Sequence, residues 1–234
     1  MEEMIMKKRY INELIDSSRG AVLRSGEVLL PDADRVKAAN RVNLLALGDV
    51  GGTVLMGLRL LGGEAVGQIG IYDLDPAMMR RYEMEINQIC FPDGRTLPEV
   101  RMLEQDELFD CDMFVFCASK GVPPVGAGGD VRMAQLEANR QLVSMYSSRA
   151  VSCGFRGIFA VVSDPVDPLC KSALSAGLRP EQVQGYGLGV MHGRACYYSD
   201  MDERMAMYRS EGRAFGPHGQ DLVIANSIMD YDDG

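Results

Sequence analysis

From residue 42 onward, short apolar runs alternate with longer amphipathic stretches. Val42-Asn43-Leu44-Leu45-Ala46-Leu47 predicts a buried strand, Gln68–Tyr72 a second, Met113–Cys117 a third and Gly157–Val162 a fourth. Between them, Thr53–Leu61 predicts a helix closed by Gly62-Gly63, Pro76–Cys90 a second helix and Val131–Ala150 a long third. A Gly/Pro-rich loop runs over Ser119–Gly129. Strands that alternate with helices of this length are joined as right-handed crossovers. The expected fold class is therefore α/β, a doubly wound parallel sheet. Beyond Pro165 the pattern is less regular: a helix over Pro165–Ala176, another over Gly189–Ser199 and a strand over Asp221–Ala225. Residues 1–40 read as a helical appendage, with Met4, Ile5, Tyr10, Ile11, Leu14 and Ile15 at roughly helical spacing and a turn at Pro31-Asp32-Ala33-Asp34.

Composition narrows the classes. The chain has 234 residues, 47% of them hydrophobic, enough for one sizeable core and part of a second. A net charge of −9, scattered along the chain, argues against a nucleic-acid surface, which needs clustered Lys and Arg. The six cysteines form no C-x-x-C pair and read as small apolar residues in a reducing compartment, with no metal site among them. No apolar run reaches the ~18 residues of a membrane span. Met1–Tyr10 carries Glu2, Glu3, Lys7, Lys8 and Arg9 rather than a signal-peptide core. The expectation is a cytoplasmic protein without membrane or nucleic-acid partners.

The turn after the first strand, Ala46-Leu47-Gly48-Asp49-Val50-Gly51, is a G-x-G-x-x-G pattern with alanine at its first position. Gly48 lets the backbone, with the N–H groups of Asp49 and Val50, approach a pyrophosphate. Gly51 permits close helix–strand packing, and the following helix points its positive end at the phosphates. Such a motif alone also fits an ordinary turn. It gains weight from Asp73, about twenty residues on, at the end of the second strand, where a carboxylate accepts from both ribose hydroxyls and repels a 2′-phosphate. No arginine adjoins Asp73, so NAD is expected over NADP.

Only two histidines occur, and one lies in Gly216-Pro217-His218-Gly219-Gln220-Asp221. A side chain that transfers protons near neutral pH, downstream of a dinucleotide motif, suits hydride chemistry, because reducing a carbonyl takes a hydride and a proton together. The order of motifs resembles the lactate/malate dehydrogenase family of 2-hydroxy-acid dehydrogenases. It rests on the Gly48/Gly51 turn, Asp73, Asp130-Val131-Arg132 through Asn139, Val162-Ser163-Asp164-Pro165-Val166-Asp167, Gly185–Arg194 and Gly216-Pro217-His218-Gly219. The resemblance implies a Rossmann domain over residues 41–163 and the start of a second, substrate-binding α+β domain over 164–234. His218 would be the proton donor and acceptor, and Arg194 would hold the substrate carboxylate with two parallel hydrogen bonds. Arg132 would polarise the substrate carbonyl beside a mobile lid, with Asn139 and Ser163 at the cofactor. Dimers or tetramers are implied by the same analogy.

The chain also departs from the family. Met191 stands where family members carry the aspartate that orients the histidine, and methionine cannot accept an imidazole N–H. Asp164 stands where they carry asparagine, so it could supply the missing carboxylate or simply form the turn before Pro165; His192 is a second candidate on another helix face. Malate-type members place an arginine in the loop that here reads Val122-Pro123-Pro124-Val125-Gly126, which is uncharged. A second carboxylate buried there would be unpaired, so a lactate-like monocarboxylic acid is expected rather than malate. Family members continue well past the histidine, whereas this chain stops at Asp232-Asp233-Gly234; the expectation is a truncated chain or, if it is complete, apolar surface left exposed on Asp221–Met229. Three other readings stay open: a catalytically weak NAD-binding sensor or subunit, favoured by Met191, a malate dehydrogenase, and an NAD enzyme whose substrate lacks a carboxylate.

Overall fold

The computed structural model describes residues 40–63, 65–92, 96–120, 131–219 and 221–229, with the backbone only for 131–135. The appendage before residue 40 and the loop carrying Val122–Gly126 lie outside the described residues. The rest divides into two compact units, one within Asp32–Tyr186 and the other within Gly187–Gly234.

The first unit is built on six parallel strands: β1 (Asn40–Leu45), β2 (Val66–Tyr72), β3 (Glu99–Met102), β4 (Met113–Phe116), β5 (Ile158–Val161) and β6 (Val183–Gly185). Their order is β3-β2-β1-β4-β5-β6, the doubly wound arrangement of dinucleotide-binding folds. Register follows from apolar pairing, with Leu44 opposite Ile71 on one side and Val115 on the other. Helices α1 (Asp49–Leu61), α2 (Pro76–Asn87), α3 (Val131–Ser152) and α4 (Val166–Ser175) make the crossovers. Because side chains alternate along a strand, the sheet feeds two cores. Val42, Leu44, Ile69, Ile71 and Val115 face Leu55 of α1 and Met79 and Ile86 of α2. Leu45, Phe114, Phe116 and Phe159 face Val143 and Tyr146 of α3 and Leu169 of α4, with the Phe114 and Phe159 rings 5.0 Å apart. Asn43 points into the second core, and its amide is satisfied by donating to the Glu107 and Leu108 carbonyls at 3.1 and 3.0 Å.

Four expected strands and four of the expected helices match within a few residues. The first helix starts at Asp49 rather than Thr53, which places Gly51 and Gly52 inside its first turn. β3 and β6 are additions. β3 is an edge strand whose Glu99 is exposed, and β6 spans three residues, too short for periodicity to register. Both α4 and β6 belong to the sheet unit, which runs through Tyr186, so this compact unit extends beyond residue 163.

The second unit contains α5 (Leu188–Ser199), the single turn α6 (Tyr208–Glu211) and an antiparallel hairpin of β7 (Arg213–Phe215) and β8 (Val223–Ala225). The hairpin pairs Phe215 with Val223, so His218 rides on its connecting loop. Gly216 takes φ 93°, and a Cβ there would lie 2.7 Å from the Asp221 carbonyl oxygen, so glycine is required before the Pro217-His218 pair. Val223, Ile224 and Met229 are exposed.

Candidate active site

The sheet order reverses between β1 and β4, and an α/β sheet opens its ligand crevice there, beyond the carboxyl ends of the strands. The β1–α1 turn sits at that point. Gly48 caps α1 with no side chain bonded over the helix end and open space where a Cβ would be. The first-turn N–H groups therefore point outward as anion donors. Gly51 packs so closely that a Cβ would collide with the Ala46 carbonyl, which holds α1 against the strand. Ala46 supplies the tight turn in the left-handed region, φ 72°, where the motif ordinarily has glycine. Asp73, half-buried at the end of β2, accepts from the Leu47 N–H at 2.7 Å through Oδ2 and from the Asp75 N–H at 3.0 Å through Oδ1. Each carboxylate oxygen keeps acceptor capacity for a diol. The residues present therefore fit the pyrophosphate and adenosine ribose of NAD. Asp49 is the exception: its exposed carboxylate stands in the first turn of α1, where a pyrophosphate would approach.

Asn139 and Ser163, expected at the cofactor, hold the crevice rim together. Asn139 is fully buried; its Oδ1 accepts from Lys120 N–H at 2.9 Å and its Nδ2 donates to the Asp164 carbonyl at 2.8 Å. Ser163 donates its hydroxyl to the Ala118 carbonyl at 2.8 Å. The ends of β4 and β5 are thus cross-tied through one amide and one hydroxyl. Asp164 itself is exposed. Arg132 falls in the first turn of α3, and its side chain lies outside the described residues.

In the second unit, His218 is half-buried against the start of α5: a Cβ on Gly187 would lie 2.9 Å from the imidazole Cβ and Cγ. Arg194 lies two turns along the same helix, about 10 Å at 1.5 Å per residue. It is exposed, and it lines a cavity of about 350 Å³ with Met191, Ala195, Tyr198, Met205, Ile224 and Asn226. His218 is not among these lining residues. The other histidine faces elsewhere: His192 Nδ1 is 3.1 Å from the hydroxyl of the fully buried Tyr208, and its Nε2 is 3.6 Å from the Cys196 sulfur. Both ring nitrogens of His192 are therefore engaged with these two side chains. Burial pushes the Tyr208 phenol above its ordinary pKa, so it stays protonated beside that ring.

No family model matches the chain. Among curated proteins it is 28% identical over 166 residues to the L-lactate dehydrogenase of Oceanobacillus iheyensis, covering 69% of this chain and 48% of that protein. It is 26% identical over 191 residues to the L-lactate dehydrogenase of Corynebacterium glutamicum, covering 80% and 58%. In sequence, the chain is similar to L-lactate dehydrogenases. It spans about half the length of the curated relatives it matches. Solved structures agree on the fold. A lactate dehydrogenase from a Medee basin deep-sea metagenome library superposes with a TM-score of 0.64 at 22% identity, over 80% of this chain and 57% of that one. The malate dehydrogenase of Plasmodium falciparum, solved in complex with NADH, gives 0.60 at 17% identity, over 79% and 56%.

The cavity beside Arg194 was not expected from the sequence. Its signal was present: Met191, Arg194, Ala195 and Tyr198 fall at i, i+3, i+4 and i+7, which is one face of a helix. Met191, noted as the place of a missing aspartate, is a wall of that cavity. The hairpin residues Ile224 and Asn226 join it only through tertiary packing, which helical spacing does not report.

Proposed function

We propose that this chain carries out NAD-dependent oxidoreduction of a 2-hydroxy/2-oxo monocarboxylic acid, lactate-like rather than malate-like. The observation that carries the reading is Asp73, a carboxylate fixed by the Leu47 N–H at the glycine turn of a β3-β2-β1-β4-β5-β6 sheet. Similarity to L-lactate dehydrogenases supports the reaction class. NAD, when bound, supplies the hydride acceptor, and NADH the donor. The chain's own residues do the rest. Gly48, Asp49, Val50 and Gly51 offer backbone N–H groups to the pyrophosphate, and Asp73 takes the ribose hydroxyls. Arg194 pins the carboxylate, which fixes the reacting carbon. His218 takes the hydroxyl proton during oxidation and returns it to the carbonyl oxygen during reduction. Arg132 polarises that carbonyl. In this reading Asp164 takes the part of the carboxylate that assists the imidazole, a part Met191 cannot fill. A cytoplasmic homo-oligomer accords with the same similarity.

The test is a fluorescence titration with NADH and NADPH, followed by NADH oxidation against pyruvate, oxaloacetate and longer 2-oxo acids. NADH binding with turnover of the monocarboxylic acids is expected. Comparable turnover of oxaloacetate and pyruvate would remove the substrate assignment, and failure to bind NADH would remove the function.

A further inference from the structure

The side of α5 that meets α6 carries a cluster which the dehydrogenase reading leaves unused. His192 and Cys196 stand at i and i+4, so their side chains lie one above the other on the same helix face. The Cys196 Sγ is 3.6 Å from His192 Nε2, and the Tyr208 hydroxyl is 3.1 Å from His192 Nδ1. Tyr208 is fully buried, which fixes the far end of this row, whereas His192 and Cys196 are both partly exposed. The row has the order that activates a nucleophile: a thiol, a base that takes its proton, and a third group that holds the base. The other five cysteines lack this setting. Burial pushes the Cys111 and Cys117 thiols up to about 12 and the Cys170 thiol up to about 11, which keeps them protonated. Cys90 and Cys153 are exposed, but neither side chain hydrogen-bonds to a described residue. Arg209 reaches the Cys196 carbonyl at 3.4 Å and is paired with Asp200 at 2.5 Å, so the imidazole, not this guanidinium, meets the sulfur.

We propose that Cys196 is a nucleophilic thiol, activated by His192, that forms mixed disulfides with low-molecular-weight disulfides. His192 Nε2 accepts the thiol proton. Nδ1–H donates to the Tyr208 oxygen before and after, so the ring keeps its place through the transfer. The thiolate attacks one sulfur of the disulfide, and an Sγ–S bond forms as the S–S bond breaks. The leaving thiolate takes the proton back from Nε2 and departs as a thiol. Cys196 is oxidised, one half of the disulfide is reduced, and the imidazole ends neutral as it began. Tyr208 is a positioning residue that acts through the ring alone. The site requires neither NAD nor a 2-oxo acid, so it stands independently of the oxidoreductase reading.

The test exposes the intact folded chain to cystamine near neutral pH and follows each cysteine with time by peptide mass spectrometry. Cys196 should form its mixed disulfide about tenfold faster than Cys90 and Cys153, although those two are the more exposed. Cys111, Cys117 and Cys170 should stay unmodified. His192→Gln should slow Cys196 by about tenfold and leave Cys90 and Cys153 at their original rates. Tyr208→Phe keeps the ring and removes only the oxygen that holds Nδ1. It should slow Cys196 by about threefold relative to Cys90, a ratio that a merely structural role would not move. Labelling of the three buried thiols reports unfolding, so a variant that fails to fold is recognised, and the ranking in the unaltered chain then decides. Cys196 reacting no faster than Cys90 and Cys153, or at an unchanged rate in a folded His192→Gln chain, would overturn the proposal. An unchanged ratio in a folded Tyr208→Phe chain would overturn the part given to Tyr208.

Discussion

The sheet unit and the hairpin unit treat their polar side chains differently. In the sheet unit, Asn43, Asp73, Asn139 and Ser163 each bond to backbone groups of neighbouring segments, so the crevice beyond β1 and β4 is held in shape by the protein alone. In the hairpin unit, Arg194 lines a cavity and makes no ion pair with a described residue, and the Asn226 Oδ1 is buried without a hydrogen-bond partner. Arg194 is exposed and so is solvated by water, and buried groups without a partner occur in the sheet unit as well, at Arg59 Nε and Ser147 Oγ. The bonds of Asn139 thus report on architecture, whereas an exposed, unpaired cation such as Arg194 is a group a ligand can reach.

That contrast can be broken in order of expected effect. His218→Asn should lower kcat by about 10³-fold, within the range of general acid–base catalysis, with the NADH dissociation constant unchanged. An equal loss in both would make His218 a structural residue. Asn139→Ala removes an amide bonded to Lys120 and Asp164 and leaves a buried N–H and a carbonyl unsatisfied. It should cost about 3 kcal/mol, read as a lower urea midpoint. A loss of NADH affinity without loss of stability would restore its expected cofactor role. Asp73→Asn should weaken NADH about tenfold, weaken NADPH less, and so narrow the preference between them.

A further effect concerns pH. Burial pushes the Cys117 thiol up to about 12, against 9 for an ordinary thiol. The folded state keeps this proton where the unfolded state loses it, so the contribution is intact below pH 9 and fades as pH rises towards 12. Cys117 alone should make the fold about 1 kcal/mol less stable at pH 10 than at pH 8, with the buried Cys111 and Cys170 thiols acting in the same direction, and Cys117→Ala should remove its share from the difference between the two urea denaturation curves. The smallest expected change is at the helix start. Asp49→Asn removes a charge facing the pyrophosphate and should tighten NADH about two- to threefold, an effect that weakens with added salt.

Much of the sheet unit was legible because its strands are buried on both faces and its helices on one, so hydrophobic period tracks structure directly. Leu44-Leu45 and Phe114-Val115-Phe116 could be read as interior strands. β3 was not legible. Its four residues Glu99-Val100-Arg101-Met102 line an edge, where one neighbour suffices and charged side chains are tolerated. β6 and β7 are three residues each and owe their form to pairing partners distant in sequence. Asn139 and Ser163 were identifiable as special but not as cross-ties, since their partners, Asp164 and Ala118, are set by how β4 and β5 come together. The Arg194 cavity was half legible: helical spacing gave the α5 side, and the hairpin side waited on the fold.

Ala46 has one more consequence. At φ 72° its backbone follows the path natural to a mirror-image amino acid, which an L-residue adopts at a penalty of about 1–2 kcal/mol. A D-alanine introduced by peptide ligation should fit this corner better than the genetically encoded one. The ordinary alphabet has a narrow lane here: glycine relieves the penalty, asparagine or aspartate tolerates it, and valine or isoleucine would turn the corner only by unmaking it.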